Sequence, residues 1–182
     1  PLTPNLVSFK RKKDATKKNE FIQNIRAVNT LGKSIALLKC EKEKDDPLDV
    51  PKGTIDVWWL GEKNGNLMLL LAHLLRSNPT WKTKKIRLLR MIDNELNRED
   101  ATLHLNQLIV TARIDAECSV YINKDFKSMI HSISYNCALL ILGMPDPEKD
   151  YFPTALENMQ TMAIPFPRVL FVHSNGDMTL ND

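Results

Sequence analysis

Six short apolar runs alternate with stretches whose apolar residues recur every three or four positions, and that alternation constrains the fold more than any other feature. The runs are Ser34–Cys40, Thr54–Leu60, Lys85–Ile92, Cys118–Ile122, Cys137–Gly143 and Arg168–Val172. They have strand length, and most are apolar throughout rather than half-polar. Between them, helical spacing appears at Ala15–Asn29, from Asn66 to about Asn78, at Glu95–Ala112, Asp125–Ser134 and Tyr151–Met162. Strands that are apolar on both sides must be covered on both sides. The expected fold is therefore α/β: a mostly parallel sheet with helices on both faces.

Punctuation fits this frame. Gly32 follows the first helix, Asn64-Gly65 reads as a turn, Asn66 as a helix cap, and Pro79 as the stop. The leucine-rich segment after Asn66 is apolar almost all the way round, so burial on more than one side is expected. The run EKEKDDPLDVPKG after Cys40 is charged and proline-bearing, and reads as a protruding loop. Residues 1–14 read as a basic, proline-containing approach segment, and residues 15–182 as one α/β domain.

Charge is unevenly placed. Of 25 Lys and Arg, six (Lys10, Arg11, Lys12, Lys13, Lys17 and Lys18) fall in one nine-residue stretch. Without that stretch the body carries 19 basic and 21 acidic side chains. The run is expected to be a solvated linker, with contact to an anionic lipid surface as the functional alternative. Nucleic acid is not expected as a partner, because no basic stripe with interleaved aromatics continues into the body.

Chemistry is poorly signalled. The four His residues lie at least 27 positions apart, and no glycine-rich phosphate loop or G-x-S-x-G elbow appears. Pro145 and Pro147 remove amide donors where a phosphate would need them. Cys40, Cys118 and Cys137 are odd in number and far apart, and read as reduced thiols. Asp56 sits inside a strand and reads as an edge or a buried, hydrogen-bonded carboxylate. No catalytic residue, cofactor or metal site is expected. Neither Asn66–Leu75 nor Ser128–Pro145 has the composition and length of a membrane span. A chain opening on Pro1 rather than Met is expected to be part of a longer polypeptide.

The block Gly53, Thr54, Ile55, Asp56, Val57, Trp58, Trp59, Leu60 is followed by Asn64-Gly65, a leucine-rich helix and WKTKKIRLL at Trp81–Leu89. This series resembles the cytosolic carboxy-terminal domain of the cation–chloride cotransporters, in the amino acid–polyamine–organocation superfamily. Leu140–Pro145 and Pro167–Val172 are similar to later strands of that domain, so the resemblance spans about residues 33–173. It implies a fold like that of universal stress proteins and a structural role for the eight-residue block. It also implies a non-enzymatic regulatory and dimerisation role beneath a transmembrane part that carries out Na/K/Cl symport. The expected partners are that transmembrane domain and a second copy, with Phe166 and the Tyr151–Met162 helix as self-association candidates beside ordinary core packing. The family's long charged insertion after the K-I-R strand has no counterpart between Ile92 and Glu95. The alternative is a stand-alone, nucleotide-responsive protein of the universal-stress type.

Overall fold

A computed structural model describes residues 6–10, 18–40 and 52–176. The charged run after Cys40 lies mostly outside them. In chain order the elements are β1 (Leu6–Lys10), α1 (Lys18–Thr30), β2 (Ser34–Cys40), β3 (Ile55–Trp58) and α2 (Glu62–Arg76). Next come β4 (Ile86–Ile92), a 3₁₀ turn (Glu95–Asn97), α3 (Arg98–Thr111), β5 (Ala116–Ile122) and α4 (Phe126–Ile133). The last three are β6 (Leu139–Gly143), α5 (Phe152–Met162) and β7 (Arg168–His173). The seven strands form one sheet in the order β1-β2-β7-β6-β3-β4-β5. Every pairing is parallel except β2 with β7. The expected α/β sheet is what forms.

Alternation along each strand sends neighbouring residues to opposite faces. One core gathers Trp58, Leu89, Leu140 and Leu142 from the sheet under α1, α4 and α5. The other gathers Ile55, Val57, Ile86 and Ile141 under α2 and α3, with Trp59 just beyond β3. The adjacent indoles are thus divided between the two layers, 0% and 2% exposed.

Three local readings change. Residues 6–10, within the approach segment, form β1 and pair parallel with β2. Asn64-Gly65 is not a turn: α2 already starts at Glu62, with Gly61 rather than Asn66 at its cap. Gly65 is small because the helix lies on Trp59; a Cβ there would come within 2.4 Å of the indole ring. Finally, α2 is buried on one broad face only, leaving Leu74 54% exposed.

Lys39 closes the sheet against α5. Its ammonium donates to the carbonyls of Ala163, the α5 C-cap, and of Ile164 and Phe166 just beyond it, at 3.1, 3.2 and 2.5 Å, a cation placed where the helix dipole favours one.

Candidate functional site at the two ends of the motif strand

β3 is an interior strand, flanked by β4 and β6, and its ends carry the features that distinguish this sheet. At the entry end Gly53 has φ of +94°, and a Cβ there would sit 1.9 Å from the Asn136 carbonyl oxygen. Only glycine fits that approach. The next carbonyl, of Thr54, accepts from the Ala138 amide at 2.7 Å, locking β3 to β6.

Register then decides the fate of Asp56. In the β3–β4 ladder Asp56 stands beside Arg87, so the Asp of T-I-D-V and the Arg of K-I-R meet. Arg87 Nε and Nη2 donate to the two carboxylate oxygens at 2.8 and 2.5 Å. The Thr54 hydroxyl adds a bond at 2.6 Å, and Arg87 Nη2 also reaches the Ile133 carbonyl at 3.0 Å. Asp56 is 0% exposed. Such a carboxylate is tolerable inside a core only when paired and hydrogen-bonded on both oxygens, and the bond to Asp56 in turn raises the Arg87 pKa. Nearby, burial, with the Asp56 charge second, pushes the Cys137 thiol up to about 12. That thiol stays protonated and unreactive at neutral pH. On the same face Trp58 Nε1 donates to Ser134 Oγ at 3.0 Å, and Phe126 meets the indole edge-on at 5.4 Å.

At the exit end lies the crevice where α/β sheets of this kind take ligands, between strands whose connections leave in opposite directions. Here those strands are β3 and β6. Asn64 closes it. Its Nδ2 donates to the Met144 carbonyl and its Oδ1 accepts from the Ser174 amide, both at 2.9 Å. Its side chain also lies against Gly143. Lys63 pairs with Asp146 at 3.6 Å across the same rim. Alongside, over the ends of β3, β4 and β5, an open cleft of about 920 Å³ has Trp59 in its wall. Glu62, Asp93 and Asp100 supply three carboxylates to it, against the cations Arg90 and Lys124. The mixture gives no single-sign field for an anion.

The motif residues therefore share one strand and its flanks, with Leu60 55% exposed just after the buried pair of indoles. Of the basic run, Lys10 ends β1 and Lys18 opens α1, where it pairs with Glu157. Arg11, Lys12, Lys13 and Lys17 lie outside the described residues. Phe166 is 2% exposed against His131, in core rather than on a surface. Among the described residues no three His, Cys, Asp or Glu cluster to hold a metal ion, and no helix is long and apolar enough to cross a membrane. Sequence marks Asn64 only as half of a turn and Arg87 only as the last letter of K-I-R, and it gives Ser134 no role. Only the register and the α2 start bring them to the site.

The family model of solute carrier family 12 matches residues 5–132, well over half of the chain. The chain belongs to solute carrier family 12. Among curated members of the family, potassium/chloride cotransporter 3 of Caenorhabditis elegans is 35% identical over 66 residues, covering 36% of this chain and 6% of that protein. Solute carrier family 12 member 2 of Squalus acanthias is 49% identical over 49 residues, covering 27% and 4%. Cation-chloride cotransporter 1 of rice is 25% identical over 114 residues, covering 63% and 11%. This family-12 chain thus spans a small fraction of such relatives. In fold it is similar to the cytoplasmic domain of a prokaryotic cation chloride cotransporter, with TM-score 0.70 and 17% identity over 98% of this chain and 67% of that one. A universal stress protein from Archaeoglobus fulgidus follows, at TM-score 0.57 and 11% identity, covering 95% and 62%.

His173, at the end of β7, adds a pH dependence. It is 2% exposed, its Nδ1 has no hydrogen-bond partner among the described residues, and burial lowers its pKa from 6.5, with the Lys63 charge second and a hydrogen bond to the Met144 backbone, then Asp146, opposing. The unfolded chain therefore binds a proton more readily than the fold, so stability falls as pH drops below about 6.5. Asp146 is shifted down from 3.8, chiefly by the Glu148 amide, so its stabilisation is lost only in a lower window. His173→Gln is expected to flatten the urea-unfolding midpoint between roughly pH 7 and pH 5. An unchanged slope would mean that the imidazole reaches water.

Proposed function

We propose that this chain is a cytosolic regulatory and assembly module of a cation–chloride cotransporter, and that it performs no bond-making chemistry itself. One observation carries the reading: in a family-12 chain, the Gly53–Leu60 ribbon is spent on packing and on the Asp56–Arg87 pair, while Asn64 fills the crevice where such sheets seat ligands. The ion movement, Na/K/Cl symport, belongs to the transmembrane part of the same polypeptide. The chain works as a rigid attachment that couples the cytosolic state to it as part of a homodimer. The basic run Lys10–Lys18 faces anionic lipid in that arrangement, with Lys18 already held by Glu157.

The test is chloride-dependent rubidium uptake by the parent polypeptide with residues 15–182 present or excised. Excision is expected to leave the protein in the membrane and to lower uptake several-fold or remove its regulation. Full, normally regulated uptake without the segment would overturn the proposal.

A further inference from the structure

From β3 to β7 the strands all run the same way, and α2, α3, α4 and α5 carry the chain back between them. Each of these helices therefore finishes at the end of the sheet where the strands begin. Every one finishes on an exposed large apolar side chain. Leu74 and Val110 lie in the last turns of α2 and α3, and Tyr135 and Ile164 lie two residues beyond α4 and α5. They are 54%, 74%, 78% and 63% exposed.

The strand entries among these tips are cationic. Lys52 and Arg113 each stand three residues ahead of a paired position, Ile55 and Ala116, and Lys82 and Lys84 precede Ile86 on the strand between. Neighbouring strands lie about 4.8 Å apart, so these four cations form one row. None of the four has an ion-pair partner within the chain among the described residues. Asp115 and Glu117, the exposed acids beside the row, are already engaged by Arg76 and Lys85. Helix dipoles favour cations at Arg76 and Arg113, beside helix C-termini. Lys52, Lys82 and Lys84 stand at strand entries, where the sheet has little dipole to call for them.

The ends of the chain's charged runs meet here too. β1 is parallel to β2, and β2 antiparallel to β7, so Lys10 at the end of β1 and Lys18 at the start of α1 belong to this same end. The acidic stretch 41–51, outside the described residues, joins this end between Cys40 and Lys52 and offsets part of the charge. The opposite end also exposes apolar side chains, Leu60 and Leu96, but sets them among Glu62, Asp93, Asp100 and Asp146. A cationic row ringed by apolar and tyrosine tips matches the headgroup boundary of an anionic bilayer, which takes both kinds of side chain at one depth. A soluble acidic partner would use the cations and leave the four tips in water.

We propose that the strand-entry end of the sheet lies on an anionic bilayer surface. Leu74, Val110, Tyr135 and Ile164 enter the headgroup boundary, and Lys52, Lys82, Lys84 and Arg113 meet the phosphates. The proposal rests on the reading of this chain as part of a membrane protein. It extends the lipid contact from the Lys10–Lys18 run to the folded body, and it turns the crevice at Asn64 away from the membrane.

Co-sedimentation of the full chain with vesicles tests it. The chain is expected to bind phosphatidylcholine vesicles that contain phosphatidylserine, to bind pure phosphatidylcholine far less, and to release as salt rises. Lys52→Glu, Lys82→Glu and Lys84→Glu together should weaken binding at least about tenfold. Lys124→Glu, Lys127→Glu and Lys149→Glu, the same change of charge at the opposite end, should leave it nearly unaltered. Val110→Ser with Tyr135→Ser should lower binding several-fold while the melting transition stays in place. Equal losses from the two lysine sets, or a loss seen only when the Lys10–Lys18 run is neutralised, overturns this face. Neither result bears on the transporter reading, which rubidium uptake decides. No binding by the unmodified chain, or binding to soluble polyglutamate as strong as to vesicles, overturns the lipid assignment.

Discussion

Arg87→Met is expected to destabilise the fold by about 3–5 kcal/mol, read as a lower urea midpoint with an unchanged slope. The guanidinium holds both oxygens of a carboxylate that is 0% exposed. Methionine fills comparable length but offers no donor, so the buried Asp56 carboxylate would keep only the Thr54 hydroxyl. The Ile133 carbonyl loses a donor as well. Removing both charges, as in Asp56→Leu with Arg87→Met, is expected to recover much of the loss, because a buried ion pair and a packed apolar pair are often close in free energy. A loss below about 1 kcal/mol for the single variant would place Asp56 in contact with water, as for an exposed pair.

The second large effect has an inverted sign. In an open helix interior, Gly→Ala stabilises by about 1 kcal/mol. Gly65→Ala is expected instead to cost about 1–3 kcal/mol, because the added methyl meets the Trp59 ring carbons at 2.4 Å and the indole is walled in. Thermal unfolding measures this directly. In a Trp59→Leu background the same substitution should lose its penalty, which isolates the contact as the cause. Stabilisation by Gly65→Ala in the unmodified chain would mean that α2 does not lie on the indole.

These two sites also show how far sequence reaches. The runs at Thr54–Leu60 and Cys137–Gly143 announce interior strands because residues facing either way are apolar, and a sheet covered on both sides follows from that. The antiparallel β2–β7 join and the short β1 leave no such sign. β1 is five residues long, and basic residues and prolines flank it, so its apolar letters are too few to set a period. Asn64-Gly65 looks like a turn because the dipeptide suits one. Its actual roles, a small surface for Trp59 and an amide bridge to Met144 and Ser174, depend on partners up to 110 positions away. Asp56 is legible as a buried, bonded carboxylate, yet naming Arg87 needs the strand register. The motif block points to the family by resemblance, and geometry explains why its letters are what they are. Glycine permits a close approach, the Asp–Arg pair stitches two strands together, and one indole fills each layer.

Titration calorimetry with ATP on the folded chain bears most directly on whether this sheet is an attachment or a nucleotide seat. With Asn64 across the crevice, Pro145 and Pro147 without amide donors, and three carboxylates along the adjoining cleft, no saturable heat is expected. Stoichiometric binding at micromolar concentration would contradict the attachment reading and favour a nucleotide-responsive protein instead.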